Sequence, residues 1–291
     1  MKQVITKRFL KFLDEQAKED TEKYNEFFAD FGIYLKEGAT SDYAYRDKIA
    51  KLLRFESSKS EPGKLISLEE YSKGMAEGQE EIYSRNGPAR TAAESGPYVE
   101  AFRKRDIEII YTLEPIDDFV MNHLGEFDGK KLISADRGDL DLSAIKSSEE
   151  TEEEKADSSM EPEVAESLVG WIKETLGNRL KEVIVSKRVV GSPASVVSPD
   201  GYMTSTMERV MQAARLEKGE QFQEVGTKNL EINTDHPLIR QLSLLRGTDE
   251  DFAKNVIEQI FDNALIQAGL MVDPRKMVER NYKILERATK G

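Results

Sequence analysis

Between Ser147 and Glu163 the chain places eight acidic side chains and one lysine among serine, threonine and proline, a net charge of −7 over 17 residues. Such a stretch repels itself and has almost no apolar surface to bury, so it cannot run through the middle of a packed core. It reads as a flexible linker over 147–163. The 291 residues are thereby divided into two domains, 1–146 and 164–291, each long enough for a core of its own.

In the first domain Val4, Ile5, Phe9, Phe12 and Leu13 recur at helical spacing. The pattern is already under way at Met1 with no capping residue ahead of it, as expected of a cut through a larger domain. Tyr24, Phe27, Phe28 and Phe31 form a second stripe, predicted to stop at Gly32. Ile49, Leu52 and Leu53 predict a third helix, and Ser67 with Glu70 has capping-box spacing for a fourth. From residue 80 the texture alternates: a strand near 81–85, helical turns over 91–103, a β-rich run at 107–113, a helix at 115–124 and a strand at 131–135. That order predicts a small α/β layer with a parallel component.

The second domain is predicted to open with a helix over 164–176. Segments 182–188 and 194–197 read as paired strands, 201–216 as an amphipathic helix and 230–232 as a short strand. Two long helices, about 249–269 and 274–288, close the chain, the second with Pro274 at a helix-start position. The fold class is thus α/β and α+β in two domains.

Chemistry is conspicuous by its poverty. There is no cysteine, hence no disulfide, thiolate nucleophile or cysteine-based zinc site. His123 and His236 lack metal-spaced partners, and no glycine-rich phosphate loop follows a strand. Ser143 and Lys146 have the Ser-x-x-Lys shape of some hydrolases, but they abut the linker, where nothing could hold a desolvated lysine. No catalytic residue, metal or cofactor is assigned. A net charge of −13 with no basic block argues against nucleic acid as a partner. No apolar run approaches the ~20 residues of a membrane span, so the expected compartment is cytoplasm or, alternatively, an organelle matrix.

Two apolar patterns exceed what a core needs. Met203, Met207, Val210 and Met211 share one helical stripe, and methionine suits surfaces that must accept many apolar shapes. In the first closing helix, Phe252, Val256, Ile257, Ile260, Phe261, Ala264, Leu265 and Ala268 sweep about 220° of the circumference, far wider than the ~100° of a one-sided helix. Met277, Ile284, Leu285 and Ala288 add apolar surface on the second. Two copies of this helix pair could form a four-helix, two-fold interface, which predicts a homodimer.

Several segments together resemble the ninety-kilodalton heat-shock chaperone family, in particular its bacterial HtpG type. Tyr24-Asn-Glu-Phe-Phe-Ala-Asp-Phe-Gly32, Ile49-Ala-Lys-Leu-Leu-Arg-Phe55, Ser67-Leu-Glu-Glu-Tyr71, Ile116-Asp-Asp-Phe-Val-Met-Asn122 and Glu126-Phe-Asp-Gly-Lys130 are similar to its middle domain. Ser192-Pro-Ala194, Met203 through Ala214, and Leu230-Glu-Ile-Asn-Thr-Asp-His-Pro-Leu238 are similar to its carboxy-terminal domain. The resemblance implies a homodimeric stress-response chaperone. Its nucleotide carboxylates, lid and glycine loops are expected upstream of Met1, so ATP and magnesium belong to the full-length family and not to this segment. It also implies client contacts at Asp118, Phe119 and Asn122, and at Met203, Met207, Val210 and Met211. Phe119 stands where some members carry tryptophan. Ser84 and Arg85 stand where many continue an apolar strand, which makes the sheet register there an open question.

The expected function is passive binding of unfolded or partly folded protein by a homodimer, without ATP hydrolysis. The alternative is a purely structural dimerisation module. Dimer contacts are expected at Phe252, Val256, Ile260, Phe261, Ala264, Leu265, Met277, Ile284 and Leu285.

Overall fold

A computed structural model of the chain describes residues 2–138, 140–142, 145, 160–199, 205–218, 228–270 and 274–290. They fall into two compact units: one built mainly from 2–94 and 105–135, the other from 95–104, 136–142 and the described residues from 160 onward. The acidic segment 147–159 lies outside the described residues, and Pro162 and Glu163, the end of the expected linker, already belong to a helix.

The first unit begins with α1 (Lys2–Glu19) and α2 (Thr21–Ser41). Asp20 separates them and caps α2, its carboxylate accepting the Lys23 amide at 3.1 Å. Leu10, Leu13 and Ala17 of α1 are buried, whereas Ile5, Phe9 and Phe12 are exposed. The second helix does not stop at Gly32. It continues because Leu35, Lys36 and Ala39 beyond that point are also buried. Gly32 is needed for closeness: a Cβ there would stand 2.8 Å from Cε1 of Phe28. The expected third helix is the short α3 (Arg46–Ala50), with Leu52 and Leu53 fully buried in the turn after it.

Strand β1 (Glu56–Ser57) leads to α4 (Leu68–Lys73), where the capping box forms: Ser67 Oγ accepts the Glu70 amide and Glu70 Oε2 the Ser67 amide. Strand β2 (Ile82–Asn86) is followed by α5 (Arg90–Ala93) and α6 (Pro97–Lys104), then β3 (Ile110–Thr112), α7 (Pro115–Leu124), β4 (Glu126–Phe127) and β5 (Lys130–Ser134). The strands order as β1-β3-β2-β5-β4, with β2 parallel to both β3 and β5. The central strand is buried at every position, so it runs straight through Ser84 and Arg85 in the register Ser84↔Ile110 and Arg85↔Tyr111. Parallel strands are covered on both faces, which is why this one does not alternate.

The second unit takes α6 and adds α8 (Pro162–Leu176), β6 (Leu180–Val185), β7 (Ala194–Val197), α9 (Ser205–Glu217) and β8 (Lys228–Ile232). Helices α10 (Pro237–Thr248), α11 (Glu250–Gln267) and α12 (Pro274–Ala288) complete it. The expected pairing of 182–188 with 194–197 does not occur. β8 lies between them, parallel to β6 and antiparallel to β7. The reason is burial: β8 is covered at all five positions, with its Glu231 satisfied by Arg188 at 2.9 Å, and a strand so covered takes the centre. β6 ends at Val185 because the Ser186 hydroxyl accepts the amides of Arg188 and Val189 and turns the chain. Leu168, Ile172, Leu230, Ile232, Ile239, Leu242, Ile257 and Phe261 make the core of this unit.

Candidate functional site

The first candidate surface is α7. Its start is set locally: Pro115 occupies the first turn, and Glu114 and Asp117 exchange side-chain to backbone bonds in a capping box. Its end is Gly125, at φ 66°, whose amide reaches back to the Met121 carbonyl. Val120, Met121 and Leu124 point into the core. Phe119, Asn122 and His123 lie on the outer face, at i, i+3 and i+4, with Phe119 38% exposed.

Asp118 does not join them. It is only 5% exposed, so of the three expected contacts on this helix two stand outside and one is buried. Its backbone carbonyl accepts the Asn122 side-chain amide at 2.9 Å, which orients Asn122 along the helix. Asp117 is buried too, with Lys36 Nζ 2.7 Å from its carboxylate. Burial raises the Asp117 pKa above the ordinary 3.8, and Lys36 offsets that only in part.

The second candidate surface is α9. Met203 lies outside the described residues. Met207 is half-buried, while Val210 and Met211 are 39% and 45% exposed. Among the described residues, none on α9 enters the apolar core of the unit.

The third is the pair α11 and α12. Ile260, Phe261, Ala264 and Leu265, expected at an interface, are buried in the core of their own unit. Phe252 and Val256 are half-buried, as are Met277 and Ile284. What remains open is a stripe on α12 made of the expected Leu285, 52% exposed, with Val278 and Tyr282, 50% and 63% exposed, which the sequence reading did not single out; Ile266 of α11 is also exposed. The signal was available, since these three residues fall at i, i+4 and i+7. Arg280 is the one buried residue among those described on α12. Its guanidinium pairs with Asp262 and, at 3.4 Å, with Glu258, while Arg179 pairs with the other oxygen of Asp262.

An open cleft of about 620 Å³ in the first unit is lined by Lys18, Lys51, Glu69 and Lys73 among others, with Lys73 and Glu69 paired at 2.8 Å. Its lining carries charges of both signs. No group of three or more His, Asp or Glu among the described residues could hold a metal ion. No described helix is long and apolar enough to cross a membrane.

A profile described as Hsp90 protein matches residues 1–290. The chaperone protein HtpG of Desulfotalea psychrophila is 53% identical over 290 residues, which is 99% of this chain and 46% of that protein. HtpG of Desulfitobacterium hafniense is 47% identical over 288 residues, 99% of this chain and 45% of its own length. The mitochondrial heat shock protein 75 kDa of Bos taurus is 36% identical over 287 residues, 98% of this chain and 40% of its own length. The chain spans about half the length of the curated relatives it matches.

Proposed function

The chain belongs to the Hsp90 family, and on that premise we propose that it binds unfolded or partly folded protein and pairs with a second copy of itself, without hydrolysing ATP. The observation that carries the reading is the exposure of Phe119 on α7, which otherwise packs normally, and of Val210 and Met211 on α9, none of whose described residues enters the apolar core. A client surface needs apolar side chains that water touches in the free state, and flexible ones accept varied partners. Burying a few hundred Å² at about 25 cal/mol per Å² gives several kcal/mol before ordering costs reduce it, so the affinity expected is micromolar.

Self-association is assigned to α12 with the half-buried rim of α11: Val278, Tyr282 and Leu285 together with Phe252 and Val256. The residues are isologous candidates, since a two-fold axis would place the same stripe on both sides. The compartment proposed is cytoplasm. The mitochondrial relative keeps an organelle matrix as the alternative.

The test is suppression of aggregation of a heat-denatured client by the chain and by the double variant Phe119→Ala with Met207→Ser. The variant should keep its circular dichroism and lose most of its suppression. Undiminished suppression would move the client surface elsewhere. No suppression by the parent chain, together with a dimer in solution, would leave the dimerisation module as the reading.

A further inference from the structure

Lys36 is an expensive residue for a helix to bury. It is 3% exposed on α2, its Nζ lying 5.7 and 5.8 Å from the ring centres of Phe28 and Phe55. Its two carboxylate partners both belong to the start of α7: Asp117 at 2.7 Å, itself 2% exposed, and Glu114 at 3.1 Å, which faces solvent. A cation taken out of water in this way gains little net stability, because desolvation of both charges offsets their attraction. What the pair does supply is direction. Val120, Met121 and Leu124 hold α7 against the core through non-directional contacts, which fix its depth but tolerate sliding along the groove and rolling about its axis. Two ion-pair contacts from one Nζ, to Glu114 and Asp117 three residues apart on α7, resist both. At the other end of the same helix, Arg46 of α3 donates to the His123 carbonyl at 3.2 Å.

We propose that Lys36 is a positioning residue for client binding: through Asp117 and Glu114 it fixes the roll and register of α7 and so presents Phe119 and Asn122 to solvent. The role rests on the reading of α7 as a client surface. Phe119 follows Asp117 by two residues, about 200° around the helix, so a bond that pulls Asp117 inward turns Phe119 outward. The ligand class is unchanged, an unfolded chain with apolar side chains, and Lys36 never touches it.

The experiment separates positioning from stability. The double variant Lys36→Met with Asp117→Asn removes both buried charges and keeps an acceptor for the Glu114 amide. Its melting temperature should be no lower than the parent's, because neither charge is left unpaired. Its affinity for a fluorescently labelled, reduced and carboxymethylated α-lactalbumin should fall about fivefold or more, the lower range of couplings between sites. Lys36→Arg, which keeps a cation near both carboxylates, should recover part of that loss. Glu114→Gln removes only the solvent-facing partner and cannot unfold the core; it should lose about half as much free energy, roughly a twofold change in affinity. Parental affinity in both the double variant and Glu114→Gln would overturn the positioning role. If Phe119→Ala still weakened binding in that case, the client reading would stand without it. A parent chain that bound no probe would remove both.

Discussion

Replacing Glu100 by alanine should destabilise the second unit by about 2 kcal/mol, although the side chain is half-exposed and far in sequence from the residues it holds. Its Oε2 accepts the amides of Val190, Gly191 and Ser192 at 2.9, 2.8 and 3.2 Å, and its Oε1 accepts the Ser192 hydroxyl at 2.6 Å. A hydrogen bond to an ionised acceptor contributes about 1.5–3 kcal/mol when desolvated. Water can take the place of the carboxylate at the exposed Val190 and Gly191 amides, so the total is well below four such bonds. With about 2–4 °C per kcal/mol for a unit of this size, the melting temperature should fall by about 4–8 °C. Burial opposes ionisation of Glu100, but the Ser192 hydroxyl and the three amides together outweigh it and hold the carboxyl below its ordinary 4.5. The stabilisation is therefore full above 4.5 and disappears as pH falls through the lower folded value. Trp171, the single tryptophan, packs half-buried against the core of this unit and reports its unfolding in urea. The parent and Glu100→Ala should differ at neutral pH and converge in acid. Equal midpoints at neutral pH, or a difference that persists once the carboxyl is protonated, would refute the reasoning.

The remaining expectations concern the other two helices. Tyr282→Ser with Leu285→Ser should weaken self-association at least tenfold, since removing two exposed apolar side chains per copy exceeds the ~1.4 kcal/mol that a decade requires. Sedimentation equilibrium reads it, and a parent chain that stays at 33.0 kDa at tens of micromolar would remove the dimer altogether. Asp117, with its carboxyl raised by burial, favours the folded state most below 3.8 and loses that contribution as pH rises through the folded value. Amide-exchange protection of α7 should therefore decline across mildly acidic pH in the parent and stay flat in Lys36→Met with Asp117→Asn.

What the sequence made legible was local. Both ends of α7 could be read from Pro115 and Gly125, and the start of α4 from Ser67 and Glu70, because caps are written in residues three or four apart. Gly32 misled because its role is a contact with the Phe28 ring one turn away, and a glycine in a helix reads the same whether it breaks or packs. Strand order in the second unit was not available, since β8 reaches its place between β6 and β7 from far along the chain. α10 was missed for want of a long pattern: only Ile239 and Leu242 are buried, although Pro237 marks its start. On α11 the periodicity measured how wide the apolar arc is, and it could not say what covers each part. Ile260, Phe261, Ala264 and Leu265 are covered by their own unit. Asp118 was expected at the surface because the family resemblance implied a client contact there, and the fold buries it.

Helices with apolar residues on more than one side have a problem that burial alone does not solve. α12 carries half-buried Met277 and Ile284 about 100° from exposed Val278 and Leu285, so rolling the helix by that amount would exchange one apolar stripe for the other at similar hydrophobic cost. Arg280 forbids the exchange. Its guanidinium reaches Asp262, 3% exposed, and Glu258, and any large roll would strand that carboxylate with Arg179 alone. Leaving a buried charge without its partner costs about 3–5 kcal/mol even where the intact pair contributes little net stability, and here Arg179 offsets part of that loss. The same asymmetry acts at Lys36 and Asp117, where the alternative roll would bury Phe119 and expose Val120 or Met121. In both units the buried charge stands on the face opposite, or nearly opposite, the apolar side chains that solvent touches. A pair that adds little to stability but penalises other orientations is a means of keeping an apolar face outside, and α7 and α12 each have one.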